Sequence, residues 1–112
     1  MRKSQIDPMV LINVFELTGG DIEELVADWQ MALDVMRNMS GFISSTLHRS
    51  VDGNAKFQLI NVAHWESAED FQAAFADPEF LSISGKMLAS DRYSFTPHPS
   101  IYRRALTTEI QG

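Results

Sequence analysis

Two asparagines stand where the surrounding chain is apolar. Asn13 interrupts Leu11-Ile12 and Val14-Phe15, and Asn61 interrupts Leu59-Ile60 and Val62-Ala63. A primary amide carries two N–H donors and an acceptor oxygen with no net charge. Burying one without partners costs about 1–3 kcal/mol. Each amide therefore either bonds to a neighbouring loop or to buried water, or donates to a ligand oxygen. Two of them in neighbouring apolar strands make the first account harder to sustain. Trp65 follows Asn61 by four residues. In a strand this spacing puts both side chains on one face with their Cα atoms roughly 13 Å apart. A flat polycyclic molecule could lie between them; alternatively Trp65 is a core tryptophan at a strand end with its N–H on a carbonyl.

Other reactive side chains are few. The chain has no cysteine, which removes disulfides, thiol nucleophiles and thiolate metal sites together. Its three histidines, His48, His64 and His98, do not form a metal-ligand spacing such as His-x-x-x-His. His48 is a candidate base at a pocket rim. His64 has the opposite strand parity to Asn61 and points toward a dimer partner. No metal is expected.

The elements that must position these residues follow from pattern and punctuation. Met9 to Leu17 is rich in β-branched and aromatic residues between Pro8 and Thr18-Gly19-Gly20, and reads as a strand. Asp21 caps a helix with Glu24 three residues on and apolar residues at Ile22, Leu25, Val26, Trp29, Leu33 and Met36. This helix ends near Met39-Ser40-Gly41; Trp29 and Met36 are core residues that a pocket beneath the helix would also make wall. Phe42 to Ser50 alternates weakly, Asp52-Gly53-Asn54 is a turn, and Lys56 to Trp65 is the return strand, with Phe57 on the same face as Asn61. Ser67 caps a second helix with Asp70 in the capping-box position, burying Phe71, Ala74 and Phe75. Asp77-Pro78 breaks or restarts that helix before Phe80, Leu81, Ile83, Met87 and Leu88. Tyr93 to Tyr102 carries Pro97 and Pro99, which limits it to an edge strand, and Arg103-Arg104 reads as a solvated end.

The order β-α-β-β-α-β is the split pattern of the ferredoxin-like α+β fold: a four-stranded antiparallel sheet with both helices on one face. Strands one and three are then central neighbours, apolar on both faces. Helices cover one face only, so a second copy packed sheet to sheet is expected on the other, giving a homodimer.

The segment from Val10 to about Leu88 resembles the antibiotic biosynthesis monooxygenase domain, most clearly in AHWESAEDFQAAFADPEF from Ala63 to Phe80. Asn61-x-x-x-Trp65 together with Asn13 is similar to the cofactor-independent branch of that family, which oxidises polycyclic aromatic polyketides to quinones. The resemblance implies a dimeric α/β barrel with a pocket between sheet and helices, and chemistry with O2 and no flavin, haem or metal. It further implies catalytic roles for Asn13, Asn61 and Trp65. The amides would donate to oxygens of a substrate anion, and the Trp65 indole to a developing peroxide. The haem-degrading branch shares the first-strand asparagine but needs a helix-two histidine on the iron. Between Ser67 and Leu88 there is none, and Ala74 stands where that branch has an aromatic residue.

Size and charge bound the reading. With 112 residues the expectation is one domain over 1–112. A net charge of -6 argues against nucleic acid and anionic lipid as partners. Met1 to Pro8 meets Asp and Pro before any long apolar stretch, so neither signal peptide nor membrane span is expected, and a cytoplasmic location is the expectation. The expected partners are a small aromatic substrate and O2. The rival from another class is a dimeric protein that holds an apolar metabolite without turnover.

Overall fold

A computed structural model describes residues 7–109; the reading of the opening residues 1–6 lies outside them. The elements are β1 (Met9–Gly20), α1 (Ile22–Met36), β2 (Phe42–Arg49), β3 (Leu59–Trp65), α2 (Ala68–Phe75), α3 (Pro78–Leu88) and β4 (Tyr93–Tyr102). The strands form one antiparallel sheet in the order β2-β3-β1-β4, the ferredoxin-like α+β arrangement expected from the order of elements. No helix among the described residues is long and apolar enough to cross a membrane.

Alternation places the core. Met9, Leu11, Asn13 and Phe15 of β1, with Leu59, Asn61, Ala63 and Trp65 of β3, are buried on the face beneath the helices. Leu25, Trp29, Ala32 and Met36 of α1 return at helical spacing to meet them. The opposite sheet face carries Val10, Ile12 and Val14 paired with His64, Val62 and Ile60; the five aliphatic residues are half-buried and His64 is exposed.

Helix starts follow side-chain caps. The Asp21 carboxylate accepts from the Glu23 N–H at 2.9 Å. Ser67 Oγ accepts from the Asp70 N–H at 3.1 Å, while its hydroxyl donates to Asp70 Oδ2 at 2.9 Å. Asp77 Oδ2 accepts from Glu79 and Phe80, with Pro78 in the first turn, so the second helical region is two helices with a corner between Phe75 and Phe80. Ala74 is buried there; Phe71 and Phe75 are only partly so. Gly41 has φ +82, and a Cβ on it would overlap the Asp70 carboxylate. Its carbonyl accepts from the Glu66 N–H at 2.8 Å, fastening the end of β3 at Trp65.

The return strand departs from the sequence reading. β3 begins at Leu59, not Lys56, and Phe57 lies in the preceding loop with its ring against His98, centroids 5.8 Å apart. It does not share the inner face with Asn61. The Ser50 N–H bonds to the Gln58 carbonyl at 2.9 Å, closing that loop ahead of β3.

Candidate active site

The register of β1 and β3 makes Asn13 and Asn61 direct partners. Both side chains lie on the helix side of the sheet, 5% and 1% exposed. Their amide oxygens are already engaged. Asn61 Oδ1 accepts from Ser45 Oγ at 2.6 Å, and Asn13 Oδ1 accepts from the backbone N–H of His98 at 3.1 Å. Because a backbone N–H can only donate, His98 orients the Asn13 amide. Pro97 and Pro99 on either side have no N–H of their own, so His98 supplies the donor at that point of β4. Neither NH2 group has a protein acceptor among the described residues. The site thus presents adjacent uncharged donors.

A cavity of about 200 Å³ lies between the sheet and the helices. Asn13, Phe15, Trp29, Phe75, Phe80 and Met87 form its inner wall. Leu81, Ser84 and Leu88 of α3 face Phe95, Pro97 and Pro99 of β4 across it, and Leu81 and Leu88 are exposed. Apart from Asn13 and Ser84 the lining is apolar, and no titratable side chain lines it among the described residues. Pockets for drug-sized ligands run about 300–1,000 Å³, so this one suits a small molecule.

Asn61 and Trp65 border a different space, a void of about 10 Å³ that Ser45, Met36 and Leu11 also line. At most it has room for a water, so no polycyclic molecule lies between Asn61 and Trp65 in this conformation. Trp29, Phe75 and Phe80 line both spaces and form the partition between them. Trp65 is fully buried, edge-on to Phe42 at 5.3 Å and to Phe71 at 6.0 Å. Its indole N–H has no partner, so the strand-end carbonyl that a purely structural Trp65 would use is absent among the described residues.

The histidines stay out of the site. His48 pairs with Ile60 and is exposed on the outer sheet face, so it is not the rim base the sequence suggested. His64 is exposed on that same face, and the His98 imidazole lies 3.8 Å from Glu16. Ionic groups gather elsewhere. Arg92 contacts Glu24 and Asp28, and the Tyr93 hydroxyl donates to Asp28 at 2.7 Å. Burial, reinforced by that carboxylate, pushes the Tyr93 phenol up to about 12. Arg103, in the solvated end read from the sequence, is exposed and pairs with Asp7 at 2.5 Å, holding the Asp7 carboxyl below its ordinary range. A wider cleft of about 540 Å³ between α1 and the α2–α3 corner carries Asp34, Asp70, Asp77 and Glu79. Among the described residues no group of three or more His, Asp or Glu could hold a metal ion.

Sequence reasoning missed Ser45 and, while naming Trp29 as pocket wall, missed that its N–H is unpaired. Ser45 is the Asn61 partner, hidden because β2 alternates weakly. The orphaned N–H of Trp29 had a visible signal, a polar-tipped ring within an apolar helix stripe, but its unpaired state needed coordinates.

Sheet, helical cover and an apolar cavity with amide donors define an α+β pocket protein of the ferredoxin-like class. The chain belongs to the antibiotic biosynthesis monooxygenase family, whose profile matches residues 8–85. It is 41% identical over 73 residues to tetracenomycin-F1 monooxygenase of Streptomyces glaucescens, covering 64% of this chain and 62% of that protein. The match thus spans less than two thirds of that relative's length. It is 33% identical over 78 residues to heme oxygenase (mycobilin-producing) of Mycobacterium tuberculosis, covering 70% of this chain and 72% of that protein. Among solved structures, a candidate monooxygenase from Shewanella loihica PV-4 superposes with TM-score 0.76 at 31% identity, over 92% of this chain and 99% of that one. SnoaB, a cofactor-independent oxygenase from Streptomyces nogalater, shares the fold with TM-score 0.76 at 22% identity, over 90% and 96%.

Proposed function

We propose that this protein is a cofactor-independent monooxygenase that oxidises a phenolic or anthrone-like aromatic with O2 to a quinone. The carrying observation is the adjacent pair Asn13 and Asn61, whose oxygens are occupied while their NH2 groups have no acceptor among the described residues. Similarity to tetracenomycin-F1 monooxygenase supports the reaction class.

The chemistry balances without an added reductant. An anthrone-type CH2 loses a proton to give an anion whose negative charge sits on the ring oxygen. One electron passes to O2, the two radicals combine to a peroxide, and loss of water leaves a carbonyl. The substrate carbon is oxidised; one atom of O2 enters the quinone and the other leaves as water. In this reading Asn13, which lines the cavity, stabilises the anionic oxygen, and Asn61 and Trp65, which border the neighbouring void, donate to the anion and to the peroxide once the Trp29, Phe75 and Phe80 partition opens. The apolar wall excludes bulk water from the radical pair. No titratable side chain lines the cavity among the described residues, so deprotonation rests on the lowered acidity barrier of a substrate whose anion is held by amides.

The haem reading suits these residues poorly. All three histidines of the chain lie outside the cavity lining, and among the described residues no cationic side chain lines it to receive haem carboxylates.

The working unit in this proposal is a homodimer of one-domain chains, joined through the outer sheet face of Val10, Ile12, Val14, Ile60 and Val62. A standard interface of about 1,600 Å² is within reach of a four-stranded sheet face.

The test is incubation of metal- and flavin-free protein with anthrone in air. Quinone formation above the uncatalysed rate supports the enzyme, whereas saturable binding with no oxidation supports the non-catalytic ligand carrier.

A further inference from the structure

We propose that Trp29 is a further ligand-positioning residue of this site, its indole N–H donating to an oxygen of the bound aromatic. The inference rests on the aromatic-ligand reading above and extends it to a residue on a different element. Trp29 is 7% exposed, and its Nε1 is buried with no hydrogen-bond partner among the described residues. An indole nitrogen can only donate, so it needs an acceptor brought to it. None lies within hydrogen-bonding distance of it among the described residues. Its ring stands edge-on to Phe15, centroids 5.2 Å apart, and the partition it forms continues through Phe75 and Phe80.

The same ring borders both spaces, so Trp29 sits between the Asn13 side and the Asn61 side of the site. Asn13 and the Trp29 ring both line the cavity, so a ligand held by Asn13 lies against that ring. The other two rings of the partition flank the corner between α2 and α3, where Asp77 caps the new helix, and they are in mutual contact at 4.9 Å. Because the Trp29 Nε1 is buried in this conformation, binding in this proposal requires that corner to move as the ligand enters. The ligand chemistry follows: an uncharged fused-ring system with oxygens on opposite edges, one for the amides and one for the indole.

The chain has only two tryptophans, so its indole signals are directly readable. The probe is chrysazin, a neutral dihydroxyanthraquinone already at the quinone level, with anthracene as an oxygen-free control. In a proton–nitrogen correlation spectrum of the native protein, the Trp29 indole signal, assigned with Trp65→Phe, moves downfield as chrysazin binds. Trp29→Phe keeps the ring and removes the N–H. It should weaken chrysazin about tenfold, leave anthracene unchanged and hold or raise the melting temperature. Chrysazin bound with an unmoved Trp29 signal, or equal weakening of both probes, would show that Trp29 is packing wall only and overturn the proposal. If neither probe binds the native protein, the aromatic-ligand reading fails together with it. Should Trp29→Phe not fold, the native spectrum still decides.

Discussion

Asn13 and Asn61 face each other across the central strand pair, and each has its amide oxygen tied to the protein while its NH2 group has no acceptor among the described residues. Ser45 of β2 fixes the Asn61 amide and the His98 backbone of β4 fixes the Asn13 amide, each through its oxygen. Preorganisation of this kind makes a neutral group effective, since no reorientation is needed as charge develops.

Asn13→Ala and Asn61→Ala should each lower turnover on an anthrone by about 10²–10³-fold. As neighbours acting on one anion they should couple, the double variant losing less than the sum of the single losses in activation free energy. Leu25→Ala makes the contrast: Leu25 is fully buried on α1 and lines neither cavity, so its loss should cost about 2–5 kcal/mol of stability and leave turnover per folded molecule unchanged. Thermal melts and rates on the same samples separate the roles; asparagine variants that melt early but turn over normally would make both residues structural.

The outer sheet face predicts association. Ile12 and Val62 are direct partners there, both half-buried in the isolated chain. Light scattering should give twice the 12.6 kDa chain mass at micromolar concentration, and Val62→Glu should shift it toward the single chain. A wild-type particle of one chain mass would contradict the dimer.

Alkaline stability should depend on Tyr93. Its phenol is held near 12 by burial and by the hydrogen bond to Asp28, against an ordinary 10.0. A folded-state value above the unfolded one favours the neutral phenol, so the stabilisation is full below pH 10 and is lost as pH rises through 12. Denaturant midpoints should fall across this interval in the wild type and fall less in Tyr93→Phe. Parallel curves for the two would remove Tyr93 as the source.

Hemin titration should give only weak, nonspecific spectra, because no histidine lines either cavity. A tight one-to-one complex with a sharp Soret band and ring cleavage on reduction would contradict that placement of the histidines.

Much of this arrangement was legible in the sequence because polar residues in apolar strands are conspicuous. Asn13 and Asn61 could be singled out and assigned to neighbouring strands, and Ser67 and Asp70 announced α2. What stayed hidden depends on register. Between Phe42 and Ser44 the pairing of β2 with β3 shifts by one residue, leaving Ile43 exposed and putting Ser45 and Leu47 on the inner face. That bulge is why β2 alternates weakly and why Ser45 gave no sign of meeting Asn61. The same shift leaves His48 on the outer face, away from the cavity. Phe57 fits the β3 alternation, yet the loop closed between Ser50 and Gln58 turns it out to His98. The partition of the site by Trp29, Phe75 and Phe80 joins three helices, a relation that no local pattern encodes.

The central claim is oxygen transfer from O2 by this chain alone, and isotope incorporation tests it most directly. Metal- and flavin-free protein is mixed with anthrone under oxygen-18 gas, and the product is read by mass spectrometry beside a protein-free control. The account predicts anthraquinone formed well above the control rate, with one heavy oxygen in the new carbonyl, and a matching fall in rate for the Asn13→Ala, Asn61→Ala double variant. Quinone formed no faster than in the control, or product whose new oxygen comes from water, would contradict it.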